Sequence, residues 1–108
     1  MTAISYDPEI VLVITTEGSP SEAENLAKEL LQRKLAACIS CREVNSFFWW
    51  EGDITHSNEV ELLIKTTKDK YKSLINSLHQ LHSYKNPELI HLKAFAGLNY
   101  KQWVSECT

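Results

Sequence analysis

Four aromatic residues in consecutive positions, Phe47, Phe48, Trp49 and Trp50, constrain the fold more than any other feature of the sequence. Neighbouring side chains in a β-strand point to opposite faces, so two large rings must lie on each face of this segment. Burying one such pair is worth roughly 7 to 12 kcal/mol at about 25 cal/mol per Å². We therefore expect the rings to contact another subunit. The alternatives are a flat apolar ligand and a hairpin whose rings wrap back over their own core.

The segments that flank the rings predict a long β-hairpin. One strand segment runs from Leu35 to Val44 before the rings, and a second strand extends from Ile54 to Thr66 after them. Glu51-Gly52-Asp53 lies between the two strands, where Gly52 can supply the positive φ that a tight turn requires. The hairpin would account for about a third of the chain.

The remainder of the sequence predicts two amphipathic helices and two more strands. Ile10 to Thr16 is apolar without alternation, which is typical of a strand covered on both faces. Ser19-Pro20-Ser21-Glu22 is a capping box that begins the first helix. Apolar residues at helical spacing from about Lys68 predict a second helix that ends before Pro87.

The carboxyl-terminal third completes the predicted order of elements. Leu89 to Phe95 is interpreted as a fourth strand, and a last helix carries Tyr100, Trp103, Val104 and Cys107 on one face. The order strand, helix, strand, strand, helix, strand is that of the ferredoxin-like, split βαβ arrangement in the α+β class. We predict a single domain over residues 1–108, with both principal helices on one face of the sheet.

Composition and charge exclude several classes of protein. The net charge is −3, and only Lys65, Lys68, Lys70 and Lys72 are grouped, so nucleic acid is not an expected partner. The amino terminus lacks a positively charged leader and the apolar run at Ile10 is too short to span a bilayer, which predicts a cytoplasmic protein without a membrane partner. The Cys38 and Cys41 side chains should point to opposite faces of a strand, so they should not share a metal.

Six separated motifs resemble, in order and spacing, the CutA divalent-cation tolerance family. They are Arg33 to Cys38, Ser46 to Gly52, Leu63 to Thr66, His82 to Tyr84, Asn86 to Glu88 and Tyr100 to Trp103. The resemblance implies a tight homotrimer with long hairpins that pair across subunits and clefts between them. Phe48, Trp49, Trp50, Tyr100 and Trp103 are the interface residues expected on this basis.

The resemblance also implies tolerance of divalent cations, chiefly copper, without an enzymatic reaction. Relatives credited with copper binding carry a cysteine in the first strand and a His-His pair before the tyrosine. This chain has Thr15 and Leu81 at the first two of those positions and keeps only His82. Imidazole suits copper and zinc, and thiolate favours copper(I). We therefore predict weak binding of copper or another divalent metal by Cys38, His82 and Glu88.

The sequence is also compatible with two other functions. The implied trimer resembles that of PII-type signalling proteins, so Lys65, Tyr84 and Glu88 could hold a small anionic effector in a cleft between subunits. A trimeric scaffold for protein partners is the other alternative. Common catalytic templates such as a phosphate-binding glycine-rich loop or HExxH do not occur in the sequence, and we predict that the protein is not an enzyme.

Overall fold

The computed structural model describes residues 7–108, so the interpretation of the first six residues lies outside the described part of the chain. Seven elements follow one another in the order predicted by the sequence. They are β1 (Glu9–Glu17), α1 (Pro20–Gln32), β2 (Cys38–Trp50), β3 (Asp53–Thr66), α2 (Tyr71–Leu81), β4 (Ile90–Phe95) and α3 (Leu98–Glu106).

The four strands form one antiparallel sheet in the order β2-β3-β1-β4. Strand β3 therefore lies between β1 and β2, which is the split βαβ arrangement. In β1, Val13 lies opposite Ile64 of β3 and His91 of β4. Because side chains alternate along a strand, this register determines which residues share a face of the sheet.

Helices α1 and α2 cover the face that carries Val13 and Ile64. The Ser19 hydroxyl accepts a hydrogen bond from the Glu22 backbone N–H, and Pro20 follows the cap, as the capping box predicts. The hydrophobic core lies between these helices and the sheet. Its completely buried members include Val13, Leu30, Leu62, Ile64, Leu74 and Leu78. We call the opposite side of the sheet the outer face.

The β2-β3 hairpin projects beyond the rest of the sheet as an arm, since β1 pairs with β3 only from Val60 to Thr66. The arm gives the chain an extent of 62 Å along its longest axis. Glu51 and Gly52 form the tip with φ angles of 50° and 84°, so the tip residues both adopt the left-handed region. Asp53 belongs to β3 instead of to the predicted turn.

The rings of the arm remain exposed in the single chain. Phe48 and Trp50 share the outer face, and Phe47 and Trp49 lie on the other face, as alternation predicts. Their exposed fractions are 72% for Phe47, 38% for Phe48, 73% for Trp49 and 61% for Trp50. The rings thus do not wrap back over their own core.

Helix α3 packs against β1 and β3 outside the principal core. Val104 is completely buried there, whereas Tyr100 and Trp103 keep 41% and 42% of their surface exposed. Ile90 and Leu92 on the outer face of β4 are also about half exposed. The chain therefore leaves a second apolar surface, around β4 and α3, in addition to the arm.

Candidate functional site

His82 lies directly after α2, where its side chain is completely buried. Its Nδ1 atom accepts a hydrogen bond of 2.9 Å from the Tyr84 backbone N–H, so the ring proton belongs on Nε2. Nε2 then donates to the Thr15 hydroxyl over 3.0 Å. Both ring nitrogens are occupied by protein groups, and neither offers a free lone pair to a metal.

A buried carboxylate lies beside this histidine. Glu17 is only 1% exposed and has one oxygen 3.7 Å from His82 Nδ1. The backbone N–H and the hydroxyl of Ser83 both donate to the Glu17 carboxylate, which satisfies a charge that would otherwise be costly to bury. Thr15, Glu17, His82 and Ser83 therefore form one polar cluster at the end of β1.

Cys38 lies at the other side of the sheet from this polar cluster. It pairs with Lys65 in the β2-β3 register, and Lys65 lies opposite Leu12 on the outer face. The Lys65 ammonium donates to the Ser40 hydroxyl over 2.8 Å and to the Cys38 sulfur over 3.6 Å. The Cys41 register partner is Leu62 on the helix-covered face, as expected from the spacing of the two cysteines.

The structure does not bring Cys38, His82 and Glu88 together within one chain. Cys38 and His82 are on opposite faces of the sheet, and Glu88 is exposed just before β4. Across residues 7–108, no three His, Cys, Asp or Glu side chains are grouped in a way that could hold a metal. A single site with these three ligands would need side chains from more than one chain.

Tyr84 and Glu88 are linked through the acidic residues of β3. The Tyr84 hydroxyl donates to Glu59 over 2.8 Å, and desolvation together with this carboxylate raises the pKa of Tyr84 above its ordinary value. Partial desolvation, followed by the charges of Glu61 and Glu59, raises the pKa of the Glu88 carboxyl, although the residue as a whole is exposed. This end of the sheet therefore has a negative electrostatic environment.

Lys65 is separate from the other two predicted cleft residues. It lies four residues along β3 from Glu61, a distance of about 13 Å at the usual rise of a strand. The basic group next to the acidic residues is instead Arg42, whose Nε is 3.0 Å from the Glu61 carboxylate. Within one chain, Lys65 thus supplies no positive charge to the surroundings of Tyr84.

Two open grooves lie next to these groups. One has a volume of about 380 Å³ between the start of α1 and the base of the arm, where Gly18, Glu43, Asn45, Asn58 and Glu59 line it. The other has about 360 Å³ between α1 and the segment after α2, and its walls include Glu17, Glu22 and Ser83. The described residues that line the two grooves are acidic or uncharged, so none of them offers a basic side chain to an anion.

Sequence reasoning missed three members of this region: Glu17, Glu59 and Ser83. Glu17 is the last residue of β1 and Glu59 lies in the middle of β3, and in sequence a glutamate in either place is usually interpreted as exposed to solvent. Their partners, Ser83 and Tyr84, are 66 and 25 residues away along the chain. No local pattern predicts such pairs, although a glutamate at the end of an apolar strand is a signal for a buried partner.

The topology, the extended arm and the carboxyl-terminal helix define a class of small α+β proteins built on a split βαβ sheet. The family model of the CutA1 divalent ion tolerance protein matches residues 11–107. This chain belongs to that family, which confirms the resemblance seen in its motifs.

Individual relatives agree with this assignment. The divalent-cation tolerance protein CutA of Archaeoglobus fulgidus is 36% identical over 95 residues, which are 87% of this chain and 93% of the relative. The CutA structure from Synechococcus elongatus PCC7942 superimposes with a TM-score of 0.90 at 29% identity, covering 94% of this chain and 91% of that one.

A second similar structure is relevant to cellular location. It is described as the periplasmic divalent cation tolerance protein CutA from Archaeoglobus fulgidus, with a TM-score of 0.87 at 34% identity, and covers 91% of this chain and 97% of its own. No helix within residues 7–108 of the present chain is long and apolar enough to cross a membrane.

Proposed function

We propose that this protein is a non-enzymatic divalent-cation tolerance protein that acts as a homotrimer and binds copper or a related metal weakly. The observation that carries the proposal is the family match over residues 11–107. Weak binding is proposed because Thr15 and Leu81 are not metal ligands and because both nitrogens of His82 are hydrogen-bonded within the chain.

The trimer is supported by the apolar surface that one chain leaves uncovered. Phe47, Trp49 and Trp50 are each more than half exposed, and Phe95 is 84% exposed at the end of β4. Large aromatic side chains exposed in this number usually mark a contact with another protein. We propose that the arm and the surface around β4 and α3, including Phe48, Tyr100 and Trp103, form the contacts between subunits.

Cys38 is the proposed principal ligand. It is half-buried on the outer face, the same face that carries Ile90 and Leu92. A second subunit on this face would approach the thiol and could supply a further ligand such as Glu88. His82 could join them only after it loses its bonds to Thr15 and Tyr84. The thiolate is the ligand that favours copper(I), and thiolate together with carboxylate oxygen is a ligand set that zinc accepts.

Calorimetric titration of the reduced trimer with copper(I), copper(II) and zinc tests this proposal. Three variants are compared with the wild type: Cys38→Ser, Glu88→Gln and His82→Ala. Cys41→Ser is the matched control, because Cys41 lies on the other face and belongs to no proposed site. We expect Cys38→Ser to abolish the copper(I) heat, Glu88→Gln to weaken it and Cys41→Ser to leave it unchanged.

Two outcomes would separate the parts of this proposal. Absence of heat with every metal would contradict metal binding altogether. Heat that survives in Cys38→Ser but disappears in His82→Ala would transfer the principal role to His82, and would mean that metal binding opens the hydrogen bonds around that ring. Light scattering on the same samples measures the proposed trimer independently.

The small anionic effector is the weaker alternative, because Glu17, Glu22 and Glu59 surround Tyr84. Lys65 is the one cation among the three predicted cleft residues. Only the Lys65 side chain of a neighbouring subunit could lie close to Tyr84 or Glu88. Thermal-shift measurements with nucleotides and carboxylates test this function, since a ligand specific for the native state raises apparent stability. Stabilisation that disappears in Lys65→Ala would favour the effector over the metal.

The scaffold function predicts a different result. The protein would then co-purify with one defined protein partner and would show neither metal heat nor a thermal shift. A cytoplasmic location is also part of our proposal, although one similar structure is described as periplasmic. Cell fractionation with a tagged full-length chain decides between these compartments.

A further inference from the structure

Cys38 and Lys65 are held side by side by the backbone of the hairpin. They are direct register partners, and the Ala37 backbone N–H donates to the Lys65 carbonyl over 2.9 Å at the end of the pairing. Directly opposite residues of antiparallel strands have Cβ atoms about 4.5 to 5.5 Å apart. The register thus places the two side chains next to each other, and in the structure Lys65 Nζ lies 3.6 Å from Cys38 Sγ.

Among the residues that the structure describes, no carboxylate pairs with the Lys65 amine and competes with the Cys38 sulfur for it. The ion pairs found within residues 7–108 do not include Lys65, and its other contact is the neutral Ser40 hydroxyl at 2.8 Å. The nearest cysteine in sequence, Cys41, points to the opposite face of the sheet. If Cys38 is oxidised, the group placed to react with it is thus the Lys65 amine.

We propose that Cys38 and Lys65 form a reversible sulfur–nitrogen cross-link when the protein is exposed to hydrogen peroxide. Hydrogen peroxide first oxidises the Cys38 thiol to a sulfenic acid and is itself reduced to water. The Lys65 amine then attacks the sulfur, an S–N bond forms, and the sulfenic hydroxyl leaves as water while the ammonium proton is released. The protein loses two hydrogen atoms in total, or about 2 Da. Two equivalents of a thiol reductant restore the free thiol and the free amine and form a disulfide.

The cross-link goes beyond the proposed metal function and has a consequence for it. An S–N bond removes the thiolate from Cys38, so the cross-linked protein should lose copper(I) binding until it is reduced. It also joins β2 to β3 covalently at the base of the hairpin. Because the bond is detected by mass, the result does not depend on whether the protein binds a metal.

Peptide mapping of the peroxide-treated full chain tests the proposal. The Cys41→Ser, Cys107→Ser double variant leaves Cys38 as the sole thiol and excludes disulfides within a chain. Trypsin normally cleaves after Lys34, Arg42 and Lys65. We expect peroxide to produce a species in which residues 35–42 are joined to residues 43–68, with cleavage at Lys65 blocked and about 2 Da lost. Dithiothreitol should restore the two separate peptides.

Lys65→Arg in the same background is the matched control, because it keeps the positive charge and removes the nucleophilic amine. We expect no joined peptide in this variant and, in its place, Cys38 with two added oxygens, a gain of about 32 Da. The proposal is overturned if wild-type Lys65 is still cleaved after Cys38 has been oxidised, or if Cys38 is converted to the sulfinic acid equally fast with Lys65 and with Arg. Resistance of Cys38 to peroxide in both proteins would overturn it as well.

Discussion

The Nε2 atom of His82 lies 3.0 Å from the hydroxyl oxygen of Thr15, so this imidazole joins the end of α2 to the central strand β1. By the family resemblance, relatives credited with copper binding have a cysteine where this chain has Thr15. The contact therefore places two positions of that motif next to each other, although only one of them carries a metal-binding side chain here.

Replacing His82 should weaken the fold. His82→Ala removes two buried hydrogen bonds and leaves a cavity beside Glu17, and we expect a loss of about 2 to 4 kcal/mol in the free energy of unfolding. Urea denaturation at a fixed protomer concentration measures the loss. His79→Ala is the control, because His79 is exposed on α2 and should change stability by less than about 0.5 kcal/mol. Equal stabilities of the two variants would contradict a structural role for His82.

Introducing a cysteine at position 15 should strengthen copper binding. Thr15→Cys would place a thiol about where the Thr15 hydroxyl now contacts His82, and a thiolate with an imidazole is a favourable pair for copper(I). We expect the copper(I) affinity to rise at least about tenfold over the wild type, which corresponds to about 1.4 kcal/mol. Competition with a chromophoric chelator measures it. Thr15→Ser is the control, and an equal affinity in all three proteins would show that this place cannot accept the metal.

Glu88 should make stability depend on pH in the acidic range. Burial and the neighbouring charges of Glu61 and Glu59 raise its pKa above the ordinary value of 4.5, so the folded state favours the protonated carboxyl. This contribution is fully present below pH 4.5 and is lost as the pH rises through the higher folded pKa. Glu88→Gln should therefore gain stability over the wild type at pH 7, and this gain should be smaller at pH 4.

Chemical denaturation of both proteins at the two pH values measures this difference. Glu43→Gln is the charge-matched control, because Glu43 is exposed on β2 and is not part of the group formed by Glu88, Glu61 and Glu59. A stability difference between Glu88→Gln and the wild type that does not change with pH would contradict the account of this carboxyl.

The arm should be needed for assembly more than for folding. Trp50 is 61% exposed near the tip of the hairpin and contributes little to the core of its own chain. We expect Trp50→Ala to shift the trimer towards monomer at low micromolar concentration while the far-ultraviolet circular dichroism stays unchanged. Light scattering and sedimentation measure the shift. Leu31→Ala, on the exposed side of α1, should leave the assembly intact, and a fully trimeric Trp50→Ala would show that this ring serves only its own subunit.

Local patterns in the sequence were sufficient to predict the order of the elements. The capping box at Ser19 placed the start of α1, and alternation assigned Phe48 and Trp50 to one face of the arm and Phe47 and Trp49 to the other. The boundary of α2 was less well defined: the helix begins at Tyr71 and not near Lys68. Lys70 provides no side-chain cap, so the sequence lacked the signal that marks such a start.

The candidate site was harder to predict, because it depends on contacts between distant parts of the chain. The spacing of Cys38 and Cys41 correctly predicted opposite faces, yet the same reasoning does not place His82, which follows a helix and not a strand. The acidic surroundings of Tyr84 arise where the segment after α2 passes the end of β1 and the middle of β3. Such crossings are determined by packing and leave no periodic pattern in the sequence.

Whether Cys38 holds a metal between subunits is measured by a crystal structure of the reduced protein grown with copper(I), in which anomalous scattering locates the metal. From the proposed metal site we expect a trimer with an anomalous peak within bonding distance of the Cys38 sulfur on the outer face, and with a further ligand from a neighbouring subunit. A peak bound by His82 in place of its bonds to Thr15 and Tyr84, or no peak in a trimer saturated with copper(I), would contradict this expectation.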